Sequence, residues 1–142
     1  MRYGVSVFEV LLAVLLIGLT SVIMVPGLAR PLAAITADAE AHRIAAAHTR
    51  ARMLAITTGR VILLCITADT LSISEVQASD TVRVWQEPGP AAANATLTGP
   101  VGPLLFSPVG ITFGVSNGTW TVTYKGAVRR VVVSRLGRVR VM

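Results

Sequence analysis

The chain opens on a long apolar stretch and then changes its period. From Val5 to Val25 the only charged side chain is Glu9. As a helix this stretch is about 31 Å long, enough to cross the hydrocarbon core of a bilayer. Pro26-Gly27 and Pro31 interrupt the pattern and are read as bends. From Leu32 to Thr58 neither proline nor glycine recurs, and alanine, the best helix former, dominates. Leu32, Ile35, Ala39, Ala46, Met53 and Leu54 fall roughly on one stripe. The prediction is one bent helix from Val5 to about Thr57, ended by Gly59, with Arg50 and Arg52 near the negative end of its dipole.

After Gly59 the period becomes two. Arg60 to Ile66 reads as a buried strand. Leu71–Val76 and Thr81–Gln86 alternate, with turn chemistry at Asp69-Thr70 and Ser79-Asp80. A loop rich in proline, glycine and alanine runs from Glu87 to Pro103. Short strands are expected at Leu104–Phe106 and Ile111–Phe113. Asn117-Gly118 is a hairpin signal ahead of Trp120–Tyr124. Lys125-Gly126 turns the chain into Val128–Ser134, and Leu136-Gly137 turns it into Arg138–Val141. The predicted class is α+β: a long N-terminal helix with a transmembrane first half, then seven or eight strands in antiparallel sheets.

Composition narrows this. With 142 residues, 53% apolar and 14% charged, the chain is one domain plus an extra element and is not disordered. Its single cysteine, Cys65, allows no internal disulfide and sits in a predicted core strand, where it reads as a small buried hydrophobe. The net charge is +6. Lys125, Arg129, Arg130, Arg135, Arg138 and Arg140 lie beyond residue 124 with no acidic residue among them. The seven remaining basic residues balance all seven acidic ones. The whole excess therefore sits at the C-terminal end. Alternation puts Arg138 and Arg140 on one face of a strand and Val139 and Val141 on the other. Guanidinium forks on a rigid hairpin suit phosphate. The same patch also suits an acidic neighbouring subunit or anionic lipid headgroups.

No catalytic constellation is present. There is no phosphate-binding loop, dinucleotide fingerprint or nucleophile motif. His42 and His48 are on different faces of the helix and read as solvated surface histidines, not metal ligands. Trp85 and Trp120 read as sheet-packing residues. The chain is expected not to be an enzyme and to need neither metal nor cofactor.

The apolar stretch admits three explanations. A secretory signal peptide would need a small-residue cleavage site, for which Thr20-Ser21-Val22 or Pro26-Gly27 would have to serve. A plain single-span anchor leaves Glu9 unexplained, unless Glu9 snorkels to the interface. The third accounts for Gly4, Glu9 and Pro26 together. Gly4-Val5-Ser6-Val7-Phe8-Glu9, followed by the apolar run, resembles the class III signal of type IV pilins and type II secretion pseudopilins. Val5 stands where that family prefers phenylalanine. The resemblance implies that prepilin peptidase cuts after Gly4 and methylates Val5. The new amine then lies near Glu9, which needs a positive partner in hydrocarbon and would find it during filament assembly.

Further on, Phe106-Ser107-Pro108-Val109-Gly110 and Gly137-Arg138-Val139-Arg140 resemble motifs of the GspH/FimT group of pseudopilins. The segments so implied are a leader at 1–4, a transmembrane segment at 5–25, a helix continuation at 26–58 and a periplasmic β domain at 59–142, with a type IV pilin-like fold. The resemblance also implies a minor subunit, anchored once in a bacterial inner membrane, at or near the tip of a pseudopilus or pilus. Its partners would be other major and minor pseudopilins, prepilin peptidase and the inner membrane. The preferred role is initiating or capping a type II secretion pseudopilus. The alternative is a FimT-like minor pilin that binds DNA for natural transformation, since some members use a C-terminal Gly-Arg-x-Arg element so. That would assign DNA to Arg138 and Arg140, supported by Arg135, Arg130 and Lys125.

Overall fold

The computed structural model describes residues 4, 6–77, 80–113, 117–134 and 136–142, and of residues 22–28 the backbone alone. One helix, α1 (Val7–Thr58), precedes nine described strands: β1 (Ile62–Ile66), β2 (Thr70–Val76), β3 (Thr81–Pro88), β4 (Thr96–Thr98), β5 (Leu104–Phe106), β6 (Thr112–Phe113), β7 (Gly118–Tyr124), β8 (Ala127–Val133) and β9 (Val139–Val141). A 3₁₀ turn covers Pro90–Ala93. The chain divides into two compact units, Met1–Leu32 and Ala33–Met142.

In the first unit, Ser6 caps the helix. Its hydroxyl accepts the Phe8 amide at 3.3 Å, and Glu9 stands in the first turn, at capping-box spacing. Side chains from Val7 to Ser21 are exposed. The two hydroxyls bond to the helix's own backbone: Thr20 donates to the Leu16 and Ile17 carbonyls, and Ser21 donates to the Ile17 carbonyl at 2.8 Å. Among the described residues no helix is long and apolar enough to cross a membrane.

In the second unit, the helix and both sheets enclose one core. Ala41, Ile44, Ala47, Ala51 and Ala55 pack with Ile62, Leu64, Leu71, Ile73, Phe106, Trp120, Val122, Val131 and Val133. Burying each of the larger aliphatic or aromatic side chains contributes about 1.5–3 kcal/mol. One sheet has the order β3-β2-β1-β5-β6 and the other β4-β7-β8-β9, all pairs antiparallel. The period-two strands point as alternation requires. Ile62, Leu64 and Ile66 face the core from β1, and Leu71 and Ile73 from β2. Lys125 and Gly126 both have positive φ, 45° and 84°, the primed turn that matches strand twist and sets Tyr124 opposite Ala127.

Several expectations are corrected. The predicted helix stripe points the wrong way. Leu32, Ile35 and Met53 are 60%, 64% and 54% exposed, whereas Ala33, Ala37, Ala41, Ala47, Ala51 and Ala55 are 0–4% exposed. Methyl side chains let the sheets approach the helix closely, so the small face goes inward. Arg50 and Arg52 do not serve the helix end, whose last turn holds no basic residue; both lean onto the sheets. The Glu87–Pro103 loop contains the 3₁₀ turn and β4. Asn117-Gly118 does not close a hairpin between neighbours: β6 pairs with β5, while β7 pairs with β4 and β8 in the other sheet. Nine strands stand where seven or eight were expected. Cys65 points away from the helix and is half-buried, beside Leu97, Gly99 and Trp120.

Candidate functional site

Two groups of residues were singled out, one at each end of the chain. At the N-terminus, Gly4 is exposed and Val5 lies outside the described residues. Glu9 is exposed on the first helical turn.

At the C-terminus, register decides which cations meet. Val132 pairs with Arg140, and the Ser134 hydroxyl accepts the Arg138 amide at 3.3 Å. The Arg130 and Met142 backbones exchange two hydrogen bonds of 2.8 Å. Directly paired residues share a face, and residues two apart share it again. Arg130, Arg138 and Arg140 are therefore together on the outer face of the four-stranded sheet, and all three are exposed. Neighbours along this face are about 7 Å apart. Thr119, Thr121 and Thr123 continue it on β7, and Thr96 and Thr98 on β4. Val132, Ser134, Leu136, Arg138 and Arg140 line a shallow trough of about 310 Å³. Among the described residues no carboxylate pairs with these three arginines; the ion pairs lie elsewhere.

Lys125 and Arg129 do not join them. Lys125 is in the turn at the far end of β8, its ammonium 5.3 Å from the centre of the Tyr124 ring. Arg135 lies outside the described residues. Arg129 faces the opposite way, and its Nε meets Asp38 Oδ1 of the helix at 2.9 Å. One of the six C-terminal charges is thus used to tie β8 to α1.

Arg52 ties the turn before β9 to the helix, and His48 ties the helix to the other sheet. Gly110 and Gly137 end their turns with positive φ, 77° and 70°. A Cβ at Gly137 would lie 2.9 Å from the Gly110 carbonyl oxygen, and one at Gly110 would lie 2.7 Å from Ile56 Cδ1. Arg52 runs beside both, and its Nη1 donates to the Gly137 carbonyl at 3.3 Å. The glycines of the two C-terminal motifs thus meet each other against one turn of α1. One helical turn earlier, His48 packs edge-on against Phe106, with ring centres 5.0 Å apart. The expectation of a surface histidine is wrong for His48, which is 1% exposed, and right for His42, which is exposed. Burial, and secondarily the Arg52 charge, lower the His48 pKa from 6.5 to about 4. His48 is neutral in the folded protein near neutral pH.

Trp120 is buried and Trp85 half-buried, both against the sheets as expected. Among the described residues no group of three or more His, Cys, Asp or Glu is placed to hold a metal ion.

A helix from the N-terminus, packed by its second half on two antiparallel sheets, defines a type IV pilin-like fold. The family model described as type II transport protein GspH matches residues 40–137, and the chain belongs to this GspH family. The fold is similar to that of the type IV minor pilin FimU of Pseudomonas aeruginosa, with a TM-score of 0.63 and 23% identity over 74% of this chain and 87% of that one. It is also similar to the minor pseudopilin EpsH from the type 2 secretion system of Vibrio cholerae, with a TM-score of 0.56 and 18% identity over 78% of this chain and 95% of that one. Among curated proteins none matches.

Proposed function

We propose that this chain is a minor pseudopilin that helps to initiate or cap a type II secretion pseudopilus. The observation that carries this is the GspH family match at 40–137, reached from an apolar helix with Glu9 in its first turn. The segment Val5–Val25 anchors the chain in the inner membrane, with the β unit in the periplasm. Prepilin peptidase cuts after Gly4, and the N-methylated amine of Val5 becomes the cation that Glu9 needs. An unpaired carboxylate in hydrocarbon costs several kcal/mol. Pairing with a neighbouring subunit's amine removes that cost, so Glu9 favours the assembled filament over the lone membrane subunit. The family is structural, and the role needs no reaction at the β unit.

The test is Glu9→Val in the full chain, expressed beside its own secretion genes. Membrane insertion stays intact, and recovery in the filament fraction falls at least about tenfold, the factor that 1.4 kcal/mol supplies. Normal incorporation contradicts the pairing.

A second reading has its own support. Arg130, Arg138 and Arg140 share one exposed sheet face, and among the described residues no carboxylate pairs with them. Such a face suits a DNA backbone in a type IV pilus that takes up DNA. Arg138→Ala/Arg140→Ala then abolishes binding of a DNA duplex that is salt-sensitive in the parent chain. Binding that survives the double substitution removes this reading.

A further inference from the structure

The sheets differ in how their edges are protected. β6, β4 and β9, which end the sheets at three edges, have two, three and three residues. β3, at the fourth edge, has eight, and nearly all of them are exposed. An unpaired edge of this length offers a row of backbone donors and acceptors about 27 Å long, which proteins ordinarily blunt. Relief is confined to Pro88 at its end, whose carbonyl accepts from Arg43 at 2.7 Å, to the charges of Arg83 and Glu87, and to a bulge opposite Ile73 and Ser74 that leaves Val84 without a partner on β2.

Beside this edge runs a groove of about 300 Å³ between α1 and the sheet, lined by Met53, Leu54, Ile73, Val84, Trp85 and Arg50. Met53, Val82 and Val84 are 54%, 41% and 45% exposed, an apolar surface that the fold itself does not cover. Its polar component has one sign. The Arg50 guanidinium lies 5.1 Å from the centre of the Trp85 ring. Arg83, paired with Ser74, lies on the opposite face of the sheet, where it donates to the neutral Gln86 at 2.7 Å. The nearest acid on the strand, Glu87, faces Arg43 at 3.6 Å. Among the described residues no carboxylate pairs with Arg50 or Arg83.

We infer that β3 and this groove form a docking edge for an extended segment of a different subunit, one that carries a carboxylate beside an apolar residue. Backbone pairing along β3 supplies the register. The apolar residue enters between Met53 and Trp85, and the carboxylate meets Arg50. Charge decides against a second copy of this chain, because the acid on its β3, Glu87, is already engaged with Arg43 and would bring no free carboxylate to Arg50. The apolar lining decides against nucleic acid. This goes beyond the filament role, which requires neighbours but does not say where a neighbour's strand attaches.

The experiment uses the full chain in cells that carry its own secretion genes. A photo-cross-linking benzoylphenylalanine replaces Val84, and in a control chain it replaces Thr119, exposed on the outer face of the other sheet. The expected result is a Val84 adduct, absent from the control, with a strand of another pilin-like subunit containing Asp or Glu at the linked site. Adding Arg50→Glu lowers the adduct about tenfold, as like charge replaces complementary charge, while Arg50→Lys retains most of it. An adduct with this same chain, with lipid or with a helix, or one indifferent to Arg50→Glu, overturns the inference. Filament incorporation is scored in parallel. Incorporation without the adduct overturns the docking edge alone. The adduct without incorporation supports the edge and overturns the filament role.

Discussion

The second half of α1 presents two faces of opposite make-up. Inward lie Ala33, Ala37, Ala41, Ala47, Ala51 and Ala55, with Ile44 and His48 as the larger members. Outward lie Leu32, Ile35 and Met53, 54–64% exposed. A helix stabilised only by its own domain would place the larger apolar groups inside, where each contributes more. Here the domain takes the methyl groups and leaves the larger side chains outside. The inner face is built for close approach to two sheets. In the proposed role the outer face is left for neighbouring subunits, and its contribution is made on assembly rather than on folding.

Three changes test that contrast on the fragment Ala33–Met142, which holds the whole core. The largest effect is expected from acid. His48 in the folded protein has a pKa near 4, below its unfolded 6.5. The unfolded chain therefore takes up a proton that the folded one refuses. Stability is fully present above about pH 6.5 and declines as the pH falls toward 4, by about 3 kcal/mol. His48→Leu flattens that slope; an unchanged slope in the variant would place the effect elsewhere. Next, Ala47→Leu forces extra volume between helix and sheets and costs about 1–3 kcal/mol in urea unfolding. The smallest effect is on the outer face, where Ile35→Ala changes stability by less than about 0.5 kcal/mol. In the full chain the same substitution lowers filament recovery. If Ile35→Ala costs as much as Ala47→Leu, the two faces are not distinct.

The strands were readable because period two and short apolar runs are local signals, and eight of the nine described strands overlap the predicted spans. β4 was not, because Thr96-Leu97-Thr98 is three residues inside a proline- and glycine-rich run and is held by pairing with β7. The helix orientation was misjudged because large apolar residues were weighted as core and alanine as filler. The shared face of Arg138 and Arg140 followed from alternation, and Arg130 joined it through the β8–β9 register. Nothing local marked Arg52: its partner Gly137 lies 85 residues away. His48 was placed in solvent by its polarity, since only the fold shows Phe106 packed against it. The signal at Gly4, Val5 and Glu9 was read from spacing and family resemblance, and its meaning rests on chemistry that another enzyme performs.

The most direct test of the filament role is the intact mass and N-terminal sequence of the chain recovered from the filament fraction. The expected species is a mature chain that begins with N-methylated Val5. A filament-associated chain that still begins at Met1, or a processed chain that never enters the filament, would contradict it.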